Sequence, residues 1–210
     1  ADGAPAVLEG EALSLRRYWR YETRLAAAIR ARLVDAATVT PTDAAQALLT
    51  HRLLLLTGGP GTGKTTTVAR AMVQFAEDFH ARTGSAPRIA LAAPTGKAAA
   101  RVAESVRDTL AGLAAAGTIS AAMAALLRPD ARTLHRLLGW RPDSTAFRHD
   151  AAHPLPADLV IVDEASMIDL PMMCKLVEAV APQATLLLIG DRDQLPSVDT
   201  GDVLAALCDA

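Results

Sequence analysis

Between Gly58 and Thr65 the chain reads Gly-Gly-Pro-Gly-Thr-Gly-Lys-Thr, an instance of the pattern G-x-x-x-x-G-K-[ST]. Glycines this close together let the backbone curl until successive N–H groups point at one phosphate, and a helix beginning at the lysine adds positive potential. Lys64 is placed to reach the β- and γ-phosphates of ATP, and the Thr65 hydroxyl to ligate Mg2+. The candidate nucleotide-binding residues are therefore Gly58, Gly59, Pro60, Gly61, Thr62, Gly63, Lys64, Thr65 and Thr66, with Lys64 also a candidate catalytic group. A second segment, Leu159-Val160-Ile161-Val162-Asp163-Glu164, is an apolar run ending in two acids. Carboxylates beside a core are costly unless a cation or hydrogen bonds compensate them. Asp163 is expected to hold the Mg2+ shell through water, and Glu164 to polarise the attacking water as general base.

Such groups need a scaffold that sets several strand ends side by side. Short apolar runs near 52–57, 88–93, 158–163 and 184–189 alternate with helical stretches near 64–80, 97–115, 171–180 and 201–208. Runs this rich in Leu, Ile and Val are expected of parallel strands covered on both faces, so the fold class is α/β with a parallel central sheet. Residues 11–36 read as one Arg-rich amphipathic helix or helix pair ending near Thr38–Pro41. The chain then divides into an N-terminal helical segment, 1–40, and an ATPase lobe, 41–210. Between the second and third strands lies an excursion, 111–157. It holds an Ala-rich helical piece at 119–127, the segment Arg132–Trp140, and a Pro/His/Asp-rich stretch read as loop or short hairpin.

Four further segments follow in order. They are Ala92-Ala93-Pro94-Thr95-Gly96-Lys97-Ala98-Ala99, Thr133-Leu134-His135-Arg136-Leu137-Leu138-Gly139, Asp163-Glu164-Ala165-Ser166-Met167, and Gly190-Asp191-Arg192-Asp193-Gln194-Leu195-Pro196-Ser197-Val198. With the phosphate loop they resemble the motifs of superfamily 1 DNA helicases, most closely the exodeoxyribonuclease V alpha subunit (RecD) family, over about residues 53–208. The resemblance implies a three-layer RecA-like P-loop NTPase domain whose fourth strand lies between those carrying Lys64 and Asp163. Gln194, just past that strand, would contact the γ-phosphate as a catalytic and sensing group. Its neutral amide can lose that bond on hydrolysis without stranding a charge. The resemblance also implies 5′-to-3′ translocation on single-stranded DNA and partner subunits of RecB and RecC type. A stand-alone or conjugative-transfer helicase shares these motifs, and a nucleotide-gated assembly module is a reading of a different class.

The DNA-side candidates are Pro94, Thr95, Gly96, Lys97, Thr133 and His135. Backbone N–H groups at a strand-to-helix turn, a hydroxyl and an ammonium can hold a strand phosphate. The plainer reading makes Thr95 a helix cap and His135 a core histidine. Trp140 could stack on a base, but in a chain with only seven aromatics a packing role is favoured. The cluster Arg16-Arg17-Tyr18-Trp19-Arg20-Tyr21-Glu22 could dock a partner, although a helix packed on its own lobe is the expectation. Relatives place an adenine-reading Gln about seventeen residues before the loop. Here that position is Pro41, and Gln46 lies too close, so adenine recognition stays unassigned. The second motor lobe that the family needs for hydrolysis is not in these 210 residues, so the chain is expected to be a fragment with little activity alone.

Charge sorts by region rather than in total. The net charge is −2, yet residues 80–148 carry ten Lys/Arg against four Asp/Glu, and residues 149–210 carry two against eleven. A basic middle and an acidic end suit separate phosphate-facing and metal-facing tasks. Only three of the 21 basic residues are Lys, and two of them, Lys64 and Lys97, follow a glycine inside the motifs above, where a compact point charge serves better than a planar fork. No apolar run is long enough to cross a bilayer. Cys174 and Cys208 lack metal-ligand spacing, which fits a cytoplasmic protein.

Overall fold

Successive side chains along the long strands of the central sheet point to opposite faces, both of them covered, and divide the interior into two layers of apolar side chains. The computed structural model describes residues 5–10, 12–33, 44–59, 63–127, 130–144, 146–191 and 203–209. The first elements are β1 (Ala6–Glu9), β2 (Ala12–Leu15), α1 (Arg16–Arg30), α2 (Ala44–Thr50), β3 (Leu53–Thr57) and α3 (Lys64–Thr83). Next come β4 (Ile89–Ala93), α4 (Gly96–Ala115), α5 (Ala121–Leu126), β5 (Ala131–Thr133) and α6 (Leu134–Leu138). The chain then forms β6 (Leu159–Val162), a 3-10 turn (Ala165–Met167), α7 (Leu170–Ala179), β7 (Thr185–Gly190) and α8 (Val203–Asp209).

The five-stranded sheet has the order β3-β7-β6-β4-β5 with every pairing parallel. β7 therefore lies between the strand leading to Lys64 and the strand ending at Asp163. Leu54, Leu56, Leu91, Leu159, Ile161, Leu187 and Ile189 face the layer of α2, α3 and α4, packing on Met72, Phe75 and Val106. Leu53, Leu55, Ala92, Val160, Val162, Leu186 and Leu188 face the opposite layer, where Leu25 and Ile29 of α1 and Met173, Leu176 and Val177 of α7 close the core. This is the three-layer, RecA-like P-loop arrangement. Among the described residues no helix is long and apolar enough to cross a membrane.

Three local readings differ from expectation. Residues 12–15 are not the start of a helix but the second strand of an antiparallel hairpin, with Leu8 opposite Leu13. Alternating Ala-Leu-Ser-Leu satisfies a strand period over four residues, whereas the Arg-rich helical stripe begins only at Arg16. Residues 131–133 add a fifth strand, too short and too polar to stand out, fixed by pairing Ala93 with Thr133. Residues 44–50 form α2, packed under α3 through Ala47 and Leu48.

Helix α1 lies along α7, so the aromatic–Arg cluster packs on its own lobe. Tyr18 and Tyr21 meet the core, and Trp19 donates its indole N–H to Glu9 at 3.1 Å. Arg24 grips Glu178 with two bonds of 2.8 and 2.5 Å. Just beyond the helix, the buried Arg32 donates to the carbonyls of Val177, Val180, Ala181 and Ala184 around the end of α7. A guanidinium there satisfies carbonyls that a helix end leaves unpaired.

Candidate functional site

The helix that follows the phosphate loop differs from most of its neighbours at its first turn. α4, α5, α6 and α7 each have a side-chain cap, from Thr95, Ser120, Thr133 and Asp169 respectively. α3 begins after Gly63, which has a left-handed φ of 78° and no side chain to offer. Its leading N–H groups therefore have no side-chain acceptor, the condition under which a helix N-terminus binds an anion. Lys64 is the first residue of α3, and its ammonium is turned back to donate to the carbonyls of Gly58 and, at 3.0 Å, Gly59. Thr65 is half-buried, and Thr66 is exposed. Pro60, Gly61 and Thr62 lie outside the described residues.

Asp163 and Glu164 stand at the end of β6. Asp163 continues the ladder, donating its N–H to Ala92 at 2.9 Å, and its carboxylate accepts from the Glu164 N–H at 3.0 Å. Burial pushes the Asp163 carboxyl above its usual range, against the opposing pull of the Glu164 amide and of the Lys64 and Arg101 charges. Glu164 has φ 53°, making it the only non-glycine among the described residues in the left-handed region. Sequence reasoning found both acids but had no signal for this backbone, which turns Glu164 out of the strand line and into the 3-10 turn. With one strand between β3 and β6, their ends lie about 10 Å apart. A donor set of an uncapped helix start, a lysine, a hydroxyl and a half-buried carboxylate fits a Mg-triphosphate across that gap.

β7 fills the gap. Its last residue, Gly190, pairs with Thr57. A Cβ on Gly190 would collide with the Leu204 side chain and come within 3.2 Å of the Ser166 backbone nitrogen. The glycine thus lets this strand end pass close against the turn after the acids. Asp191 follows, 5% exposed. Gln194 and the rest of 192–200 lie outside the described residues.

The DNA-side candidates come together at the neighbouring strand ends. Register pairs Ala93 with Thr133, so the turns at 94–97 and 133–136 emerge side by side, with Gly96 facing the Thr133 methyl. Both threonines act as caps, Thr95 accepting from Ala98 N–H at 3.2 Å and Thr133 from Arg136 N–H at 3.3 Å. Each hydroxyl keeps its own proton for a further acceptor. Pro94 is half-buried and Lys97 is exposed. His135 is exposed, its ring tilted against that of Phe147 with centroids 5.9 Å apart, so it is not a core histidine. Trp140 is 54% exposed, contrary to the packing role expected of it; the short hairpin it begins has too few apolar neighbours to bury an indole.

Residues 42–200 match the family described as an AAA domain. A protein of Mycolicibacterium smegmatis named RecBCD enzyme subunit RecD is 46% identical, the alignment covering 98% of this chain and 39% of that protein. A Haemophilus influenzae protein of the same name is 44% identical over 73% of this chain and 23% of its own. The ATP-dependent RecD2 DNA helicase of Deinococcus radiodurans is 44% identical over 76% of this chain and 18% of its own. The chain thus spans less than two-fifths of the length of these relatives.

Proposed function

Because this chain belongs to the AAA-domain family, and within it to the RecD type of superfamily 1 helicases, we propose that it is the ATP-hydrolysing motor lobe of a DNA helicase. The observation that carries this reading is one edge of one sheet. Phosphate-loop, acid-bearing and DNA-side turns all leave the C-terminal ends of adjacent parallel strands.

Lys64 would move from the loop carbonyls to the β- and γ-phosphates, with amides of the α3 start completing the cradle. Thr65 and Asp163 would hold Mg2+, whose charge, when bound, offsets that of the phosphates. Glu164, aimed by its left-handed backbone, would orient and deprotonate the attacking water. Pro94, Thr95, Gly96, Lys97, Thr133 and His135 would grip the phosphodiester backbone of single-stranded DNA. Gln194, four residues past the end of the strand between nucleotide and acids, would report the γ-phosphate to that grip. We read residues 41–210 as the lobe and 1–40 as a segment leading into it. The relatives' name, RecBCD enzyme subunit RecD, supports RecB- and RecC-type partner subunits, and translocation in the 5′-to-3′ sense in the cytoplasm belongs to the same reading.

The test is a single-turnover ATPase assay on the full-length protein, with and without single-stranded DNA. Strand-stimulated hydrolysis that Lys64→Ala abolishes is the expected result. Tight nucleotide binding without strand-dependent turnover would favour a nucleotide-gated assembly module instead.

A further inference from the structure

We propose a second phosphate site, separate from the nucleotide loop and from the turns at 94–97 and 133–136: the cavity lined by Arg141, Arg148, His149, His153 and Pro154 takes a backbone phosphate of a nucleic-acid strand. The existence of this site rests on its own side chains. Only the identity of its ligand rests on the DNA-motor reading.

The cavity measures about 350 Å³ and gathers two guanidiniums and two imidazoles. Asp150, the carboxylate nearest to them in sequence, is already occupied. It accepts from the N–H groups of Ala152 at 2.9 Å and His153 at 2.8 Å, and its Oδ1 lies 3.3 Å from His153 Nδ1. Among the described residues neither Arg141 nor Arg148 forms an ion pair. Two guanidiniums that border one cavity with no carboxylate bound to either leave their donors for an anion, and a phosphate matches the guanidinium fork.

The backbone holds this cluster in place. Arg148 donates its N–H to Gly139 at 3.0 Å and His149 donates to Leu138 at 3.0 Å, while Trp140 and Phe147 form a bridge. Gly139, with φ 72°, has no room for a side chain, since a Cβ would lie 2.6 Å from Arg148 Cβ. At the far end Leu155 N–H is tied to the Ala179 carbonyl at 2.7 Å. His149 also borders a cleft with Ile89 and Pro156, near the starts of β4 and β6. Trp140, exposed and next to Arg141, offers a ring on which a base could stack beside the held phosphate.

Two measurements on the full-length protein and on its R141A/R148A variant test this. Single-stranded DNA binding is followed against salt, and inorganic phosphate is titrated while the His149 and His153 imidazole NMR signals are watched. The variant is expected to bind DNA with a salt slope shallower by about 0.7, one phosphate contact, and with unchanged ATP affinity. In the unsubstituted protein phosphate should shift both imidazoles saturably, and at least tenfold more weakly in the variant. A shallower slope with silent imidazoles supports a strand phosphate over the free anion. An unchanged slope with responsive imidazoles overturns the nucleic-acid assignment in favour of a small anion. If neither responds, the site itself is overturned. If the unsubstituted protein binds no DNA, the motor reading fails and takes the ligand assignment with it, whatever phosphate does.

Discussion

Glu164 concentrates what residue-level chemistry adds to a motif. Its position after four β6 residues and one aspartate marks it in the sequence as the candidate general base, but its φ of 53° has no such signal, because no residue preference marks a glutamate for the left-handed region. Such a conformation costs on the order of 1–3 kcal/mol and persists only where the surroundings fix it. Here the Asp163 carboxylate accepts the Glu164 N–H, and the Met167 N–H closes on the Glu164 carbonyl at 3.0 Å. Glu164→Gln keeps the side-chain shape and removes the base. Mg-ATP binding should stay within about twofold, while strand-stimulated turnover should fall by about 10²–10⁴. Calorimetry alongside a single-turnover assay checks this, and normal turnover would remove the base role. By contrast Cys174, at 0% exposure, has its thiol pushed up to about 12, chiefly by burial, and carries no chemistry.

At the scale of elements, the apolar runs and their Gly/Thr punctuation announced the four long strands and the helices after them to within a few residues. What stayed hidden depends on partners distant in the chain. Ala131–Thr133 is a strand only because β4 offers it a ladder, and α1 is held by Glu178 and the carbonyls of 177–184, far along the sequence. The start of the acid-bearing strand depends on a similar contact. Asp158, just before β6, accepts from the Arg88 backbone N–H at 2.8 Å and from its guanidinium at 3.2 and 3.1 Å, pinning β4 to β6 at the edge opposite the site. Those bonds hold its carboxyl below the usual range. With a depressed folded-state pKa, the stabilisation is present above the unfolded-state value and is lost as pH falls through the folded one. Asp158→Asn should therefore cost about 1 kcal/mol at pH 7. Denaturant melts of both forms should converge as pH drops below the unfolded aspartate value, and a gap that persists in acid would point to packing rather than charge.

For the whole molecule, the order β3-β7-β6-β4-β5 decides what one lobe can do. The proposed nucleotide cradle, the acids and the proposed strand grip share a single sheet edge, so under that reading binding energy at the cradle can be felt at the acids through β7, whose end lies close to Ser166 and Leu204. In related phosphoryl-transfer systems an arginine supplied from outside the phosphate-binding lobe contributes about 10³–10⁵ in rate. The relatives are more than twice as long as this chain, with ample sequence for a second lobe. Residues 1–210 alone should then bind Mg-ATP with an affinity close to that of the full-length protein, hydrolyse it about 10³-fold or more slowly, and respond little to single-stranded DNA. Parallel binding and turnover assays on the two lengths decide the matter. Equal, strand-stimulated rates would mean that this lobe carries its own transition-state cation, and the search for it would begin among Arg101 and the residues after Asp191.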